Sequence, residues 1–256
     1  TGYELNGLTP DDPSLVGVHE NVHRLLALEY DRQGSVPWHE KRRDKYSITG
    51  TNSYDAAKGN FDALLKVAMA RSQPFVGNHH TERGKKNEHI GIARLATHIG
   101  KRVFELGTVG HPEVEFVGAS PDGVTEDNIT VEIKCPWSIH PDVKQTYYSQ
   151  MQMEMEVMRT KKTYFVQYQV PRYASMNDKD GNPIEVEPEV IDIREVVAEP
   201  GWFESRLPKF TEYNELLRSE RLKDPMWHQR HVEWTNYAKS GCRGNMPDSV
   251  KAYLAS

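Results

Sequence analysis

Residues 118–137 read GASPDGVTEDNITVEIKCPW, and the fold turns on them. The runs Glu115–Ser120 (EFVGAS) and Asn128–Lys134 (NITVEIK) are short and rich in β-branched or aromatic residues. The intervening PDGVTED is made of turn formers, so an antiparallel hairpin is expected. Side chains alternate across a strand, which puts Glu132 and Lys134 on one face and Val131 and Ile133 on the other, toward a core. Asp122, at the loop end of the neighbouring strand, is expected to reach the face of Glu132 and Lys134. Two carboxylates meeting there form an oxygen-rich site suited to Mg²⁺, with Mn²⁺ as a substitute. Such an ion lowers the pKa of a bound water and neutralises charge on a phosphodiester, while Lys134 orients or deprotonates that water and stabilises the developing anion. Alone, an E-x-K pair is more often a surface cross-strand pair and Asp-Gly a plain turn, so the neighbouring segments have to decide.

Upstream, a helix is expected over about Arg83–Ile99, ending at Gly100. Glu88, Ile92, Leu95 and Ile99 fall on one narrow stripe of it, and a carboxylate on a buried stripe is costly unless something cationic meets it. Downstream, a helix is expected over about Val143–Arg159, with Tyr147, Met151, Met155 and Met158 as its apolar stripe. Gln150 and Gln152 on this helix have amides able to position Lys134 or a nucleophile. Further out, Arg42 and Arg43 precede Ile48-Thr49-Gly50-Thr51 just before a helix start, where guanidinium, hydroxyl and free N–H groups suit a phosphate. Ser120 adds a hydroxyl. That helix is expected over Tyr54–Arg71, capped by Thr51, Asn52 or Ser53 and interrupted in pattern by Gly59. Further helices are expected over Val18–Tyr30 and from Trp202 to about Arg221, and strands over Thr163–Val170 and Glu189–Val197 around a DKDGNP turn. The sum is an α/β mixed sheet flanked by helices.

The chain has 256 residues, 37% apolar and 27% charged, which suits one large domain. We divide it into an N-terminal helical arm (1–37), a central core (38–200) and a C-terminal helical extension of the same domain (201–256). No apolar run approaches the roughly 18 residues needed to cross a bilayer, and TGYELNGLTPDDP has neither the basic nor the apolar region of an export signal, so a soluble intracellular protein without membrane contact is expected. Cys135 and Cys242 are too few for a disulfide framework and are read as free thiols. The net charge of −5 argues against nucleic-acid affinity by bulk charge. Two basic islands, Lys41-Arg42-Arg43 with Lys45 and Arg83 with Lys85-Lys86, run against that total. His79, His80, His89 and His98 match no familiar zinc spacing. Trp227, His228, His231, Trp234 and Tyr237 are read as core or subunit-contact aromatics ahead of base-stacking ones.

In order, Trp38, Arg42-Arg43, ITGT (48–51), GKKNE (84–88) with Ala93, GASPDG (118–123), VEIKCPW (131–137) and YYSQMQ (147–152) make the chain resemble the lambda exonuclease or YqaJ-type viral recombinase family, a relative of viral alkaline nucleases within the PD-(D/E)xK superfamily. The resemblance spans about Trp38–Val170. It implies a PD-(D/E)xK restriction-endonuclease-like core and a Mg²⁺-dependent DNA exonuclease, 5′→3′ on linear duplex, in recombination or viral DNA processing. Carried over by position, it implies metal binding by Asp122, Glu132 and the Ile133 carbonyl, with Glu88 acting directly or through water. It further implies a catalytic Lys134, a supporting Gln150, and a 5′-phosphate pocket from Arg42 or Arg43, Thr51 and Ser120. Here Thr51 replaces the serine of the usual I-T-A-S run, and the stretch from Trp38 to Ile48 is longer than the family pattern. Duplex DNA ends, a single-strand-annealing protein and further copies of the chain are the implied partners. The implied compartment is the cytoplasm for a phage or bacterial source, and nucleus or cytoplasm for a eukaryotic virus or host. An endonuclease of the same fold, or a DNA-binding module without catalysis, are the competing readings.

Overall fold

A computed structural model describes residues 1–31, 33, 35–72, 79–240, 242 and 245–255, without the side chains of 79–81, 172–176 and 185–187. The readings placed on His79 and His80 lie outside the described side chains. Helices are α1 (Gly2–Leu5), α2 (Glu20–Leu26), α3 (Val36–Lys45), α4 (Ser53–Lys58), α5 (Phe61–Ala68), α6 (His79–Ile99), α7 (Gln145–Met158), α8 (Trp202–Lys223), α9 (Trp227–Lys239) and α10 (Asp248–Leu254). Strands are β1 (Ile48–Thr49), β2 (Val103–Phe104), β3 (Val109–Gly110), β4 (Val117–Ala119), β5 (Gly123–Thr125), β6 (Thr130–Lys134), β7 (Lys162–Gln169), β8 (Arg172–Asn177), β9 (Pro183–Glu187) and β10 (Val190–Val197).

The main sheet runs β10-β7-β6-β5-β2 and is mixed: β6 and β7 are parallel, the other pairs antiparallel. Parallel neighbours need a crossover, and α7 supplies it. The alternation along β6 works as the sequence reading expects. Val131 and Ile133 pack with Leu95 and Val166 under Ile92 and Ile99, so this face carries α6. On the other face, Glu132 is in register with Phe165, against which Tyr147 of α7 packs at 5.9 Å between ring centroids. Gly91 lets α6 lie close, since a Cβ there would stand 2.8 Å from Ile133 Cγ2.

The expected hairpin forms one strand later than its sequence signal. β6 pairs with β5, which lies inside the supposed turn, while β4 joins a separate sheet of order β1-β4-β3. Gly123-Val124-Thr125 reads as turn because of Asp-Gly, yet it is flanked by two strands, β2 and β6, that offer it a full ladder. The expected Tyr54–Arg71 helix is two: Gly59 adopts φ +76° and closes α4, so α5 leaves in a new direction. The Val18–Tyr30 helix shortens to α2. The larger hydrophobic core draws on all three stretches of the chain, including Leu25 and Leu26 near the start, Met153 and Val157 of α7, and Phe210 and Tyr213 of α8. Trp227 packs on this core and Trp234 Nε1 donates to the Ser72 carbonyl at 2.9 Å. None of the described helices is long and apolar enough to cross a membrane.

Candidate active site

A cleft of about 870 Å³ opens where the C-terminal end of β6 meets the N-terminal part of α7, the β4–β5 loop, α3 and α6. Glu88, Asp122, Glu132, Ile133, Lys134, Gln150, Arg42, Thr51 and Ser120 all line it. Asp122 is held against β6 by two bonds: its N–H donates to the Val131 carbonyl at 3.1 Å, and its Oδ2 accepts from Ile133 N–H at 2.7 Å. Glu132 is only 1% exposed. Its Oε1 accepts from the Lys134 ammonium and from Gln150 Nε2 at 2.8 Å, and its Oε2 is buried without a partner. Lys134 also lies over the Tyr147 ring, 4.9 Å from its centroid.

The charges do not balance. Burial, then Glu132 and Glu88, push the Asp122 carboxyl well up, and burial with Glu132 pushes Glu88 up too. Burial works against the Lys134 ammonium, but Glu132 and Asp122 outweigh it and raise its pKa, so this lysine is a charged group in this arrangement. An acid-rich pocket with an orphaned buried carboxylate oxygen fits a hard cation. Among the described residues no three His, Cys, Asp or Glu side chains gather round one point. Where such a cation binds, Asp122 and Glu132 would be the carboxylates to hold it, with the Ile133 carbonyl beside them and water supplying the remaining oxygens that Mg²⁺ usually keeps. Glu88, on α6, lines the same cleft.

The phosphate-pocket candidates separate. Arg42 Nη1 donates to Ser120 Oγ at 3.2 Å, its guanidinium lies 4.4 Å from the Trp38 ring centroid, and Ser120 Oγ also bonds Thr108 Oγ1 at 2.7 Å. Arg43 turns away from the cleft, pairing with Asp44 at 2.6 Å and approaching His228 at 3.3 Å. Successive helical residues point about 100° apart, so only one of the two can face the site. Gln152 likewise points elsewhere: its amide bridges the Val197 carbonyl and Glu199 N–H at 2.9 and 2.8 Å. The second basic island contributes Lys85 to the lining and Arg83, which lies 4.1 Å from the Trp137 ring centroid at the rim. Cys135 lines the cleft as well, but burial and Glu88 push its thiol up to about 11, which makes it a poor nucleophile.

One buried acid escaped the sequence reading. Glu154, 1% exposed, accepts from Gln150 Nε2 at 2.9 Å and carries a second orphaned oxygen, Oε2. The available signal was its spacing, four residues beyond Gln150 on one helix face.

A mixed sheet flanked by helices, with Asp122 and the Glu132-x-Lys134 pair converging at the C-terminal end of its central strand, defines a PD-(D/E)xK nuclease-like fold. The chain belongs to the YqaJ-like viral recombinase domain family, whose model matches residues 37–164. Among solved structures it resembles an alkaline exonuclease, LHK-Exo, from Laribacter hongkongensis, at 21% identity and TM-score 0.54, over 73% of this chain and 94% of that one. It resembles the complex of LHK-Exo with dAMP at 20% identity and TM-score 0.53, over the same shares. At the level of sequence it is 28% identical, over 177 residues and 59% of its length, to the uncharacterized protein R354 of Acanthamoeba polyphaga mimivirus. It spans about a third of the length of that relative, 32%.

Proposed function

We propose that this chain is a divalent-metal-dependent deoxyribonuclease that digests linear duplex DNA from its ends in the 5′→3′ direction. The observation that carries the reading is the meeting of Asp122, Glu132, Lys134 and Gln150 in the same cleft as the Arg42–Ser120 pair. Mg²⁺ held by Asp122, Glu132 and the Ile133 carbonyl supplies Lewis-acid activation of water and charge neutralisation. In the reaction, water oxygen bonds to phosphorus as the bond from phosphorus to the leaving 3′-oxygen breaks, releasing a 5′-mononucleotide. Lys134, an ammonium fixed by Glu132 and Tyr147, stabilises the charge that builds on the phosphoryl oxygens. Gln150 and Glu88 orient the water, and Arg42 with Ser120 and Thr51 holds the terminal 5′-phosphate. The name exonuclease carried by the similar bacterial enzyme, and its complex with dAMP, support the exonuclease reading.

The test is digestion of 5′-phosphorylated linear, 5′-hydroxyl linear and closed circular duplex DNA with Mg²⁺ or with EDTA. Loss of the linear forms only, with Mg²⁺ only and with 5′-phosphate preferred, is the expected result. Cutting of circles favours an endonuclease, and binding without degradation favours a DNA-binding module. Lys134→Ala is expected to lower cleavage by about 10²–10³-fold, the range for removing one preorganised charge-stabilising donor, while DNA binding persists.

A further inference from the structure

Gln150 has one side-chain nitrogen with two hydrogens, and both are committed to acids. One goes to Glu132 Oε1 at 2.8 Å and the other to Glu154 Oε1 at 2.9 Å. With its nitrogen fixed between two acceptors, the amide of Gln150, a residue of the cleft lining, is held in one orientation. We propose that Glu154 is a positioning residue for the hydrolytic centre, holding the Gln150 amide in the one orientation that binds Glu132 and offers an acceptor to the attacking water. This rests on the nuclease reading above.

Two features set Glu154 apart from a helix glutamate that happens to be covered. Its carboxyl is fully enclosed and its Oε2 has no partner, an arrangement that costs stability unless another gain offsets it. Burial, followed by repulsion from Glu132, also pushes this carboxyl well up, so the site keeps a group that the fold alone would discard. The backbone makes room for it as well. At Gly50 an added Cβ would lie 3.1 Å from Gln150 Cγ and 3.4 Å from Glu154 Oε1, so a bare backbone passes directly over the Gln150–Glu154 pair.

The test is a set of variants of the full chain assayed on 5′-phosphorylated linear duplex with Mg²⁺. Glu154→Gln keeps an oxygen that accepts from Gln150 and is expected to stay within about threefold of the parent. Glu154→Leu removes the acceptor and is expected to lower kcat about tenfold with KM unchanged, yet to melt at a higher temperature, because an apolar side chain replaces a buried carboxyl. In a Gln150→Ala background, Glu154→Leu is expected to change kcat less than twofold, since its route of action is gone. A Glu154→Leu protein with parental kcat, or a loss that adds fully to that of Gln150→Ala, overturns the proposal. If Glu154→Leu does not fold, Glu154→Met carries the same comparison. A parent that digests no DNA removes the nuclease reading itself, whereas an active parent silenced by Lys134→Ala but indifferent to Glu154→Leu removes only the positioning role.

Discussion

Arg42 reaches across from α3 to Ser120, Nη1 to Oγ at 3.2 Å, two residues before Asp122 in the β4–β5 segment. Ser120 and Asp122 thus share one short loop, so under the nuclease proposal a DNA end held by Arg42 would lie next to the proposed hydrolytic residues. A charge-assisted hydrogen bond is worth about 1.5–3 kcal/mol, or roughly 10–150-fold. Arg42→Ala is expected to reduce the preference for 5′-phosphorylated over 5′-hydroxyl ends by that factor. Arg43→Ala, whose guanidinium is spent on Asp44, is expected to leave the preference intact. Parallel time courses on the two substrates decide it, and equal effects from the two variants would exclude the assignment.

Gly91 is the contact that seats α6 on the sheet. An alanine there would put a methyl 2.8 Å from Ile133 Cγ2, with the Tyr168 Cβ at 3.4 Å on the other side, and overpacking of this kind costs about 1–3 kcal/mol. Relief comes from lifting α6, and Glu88 moves with it. Gly91→Ala is therefore expected to lower the melting temperature by about 2–4 °C per kcal/mol and to cut cleavage at least about tenfold, given that a displacement near about 1 Å can cost about 10²-fold. The 5′-phosphate preference, set on α3, is expected to stay. Calorimetry with the two-substrate assay checks all three points.

The site was more legible in the sequence than the sheet around it. Glu132 and Lys134 share a face because strand alternation is a rigid rule, and the stripe of Glu88, Ile92, Leu95 and Ile99 follows equally from the helical period. The β5 partner escaped because Gly123-Val124-Thr125 is only three residues long and opens on the Asp-Gly turn signal, which masks the β-branched Val124 and Thr125 until neighbours on both sides make a strand of them. Gly59 was visible as a defect in the helix pattern, but whether it is absorbed or turns the chain depends on the core that α4 and α5 cover from different sides. Arg42 and Arg43 were inseparable because adjacent basic residues carry no record of which faces inward. Glu154 looked like ordinary helix surface, since burial of an acid is decided by tertiary packing against Gly50 and not by local pattern.

The Cys135 thiol, next to Lys134, is expected to be inert. With Cys135 pushed up to about 11 by burial and by Glu88, roughly one molecule in a thousand carries the thiolate at pH 8. Alkylation by iodoacetamide at that pH is expected to proceed about a hundredfold more slowly than for free cysteine, and Cys135→Ser is expected to retain cleavage. Peptide mapping by mass spectrometry reads the first and the digestion assay the second. Fast labelling together with loss of activity in Cys135→Ser would overturn this expectation.

His231 is expected to make the C-terminal helices sensitive to acid. Burial, then the positive charge of Arg43, lowers its pKa from the ordinary 6.5 to about 4, while its Nδ1 meets Thr235 Oγ1 at 3.2 Å and its ring packs against Trp234. A base whose folded-state pKa is depressed binds fewer protons folded than unfolded between those two values. Its contribution is present above 6.5 and is lost as the pH falls toward 4. Between pH 8 and pH 5 the loss from this one group is about 2 kcal/mol, equivalent to about 4–8 °C in melting temperature for a domain of this size. His231→Gln cannot titrate, so its melting temperature is expected to fall less than that of the parent over the same interval, whatever its starting value at pH 8. Melting curves for both proteins at pH 8, 6.5 and 5 give the comparison, and parallel declines would show that His231 is protonated in the folded chain as readily as in the unfolded one.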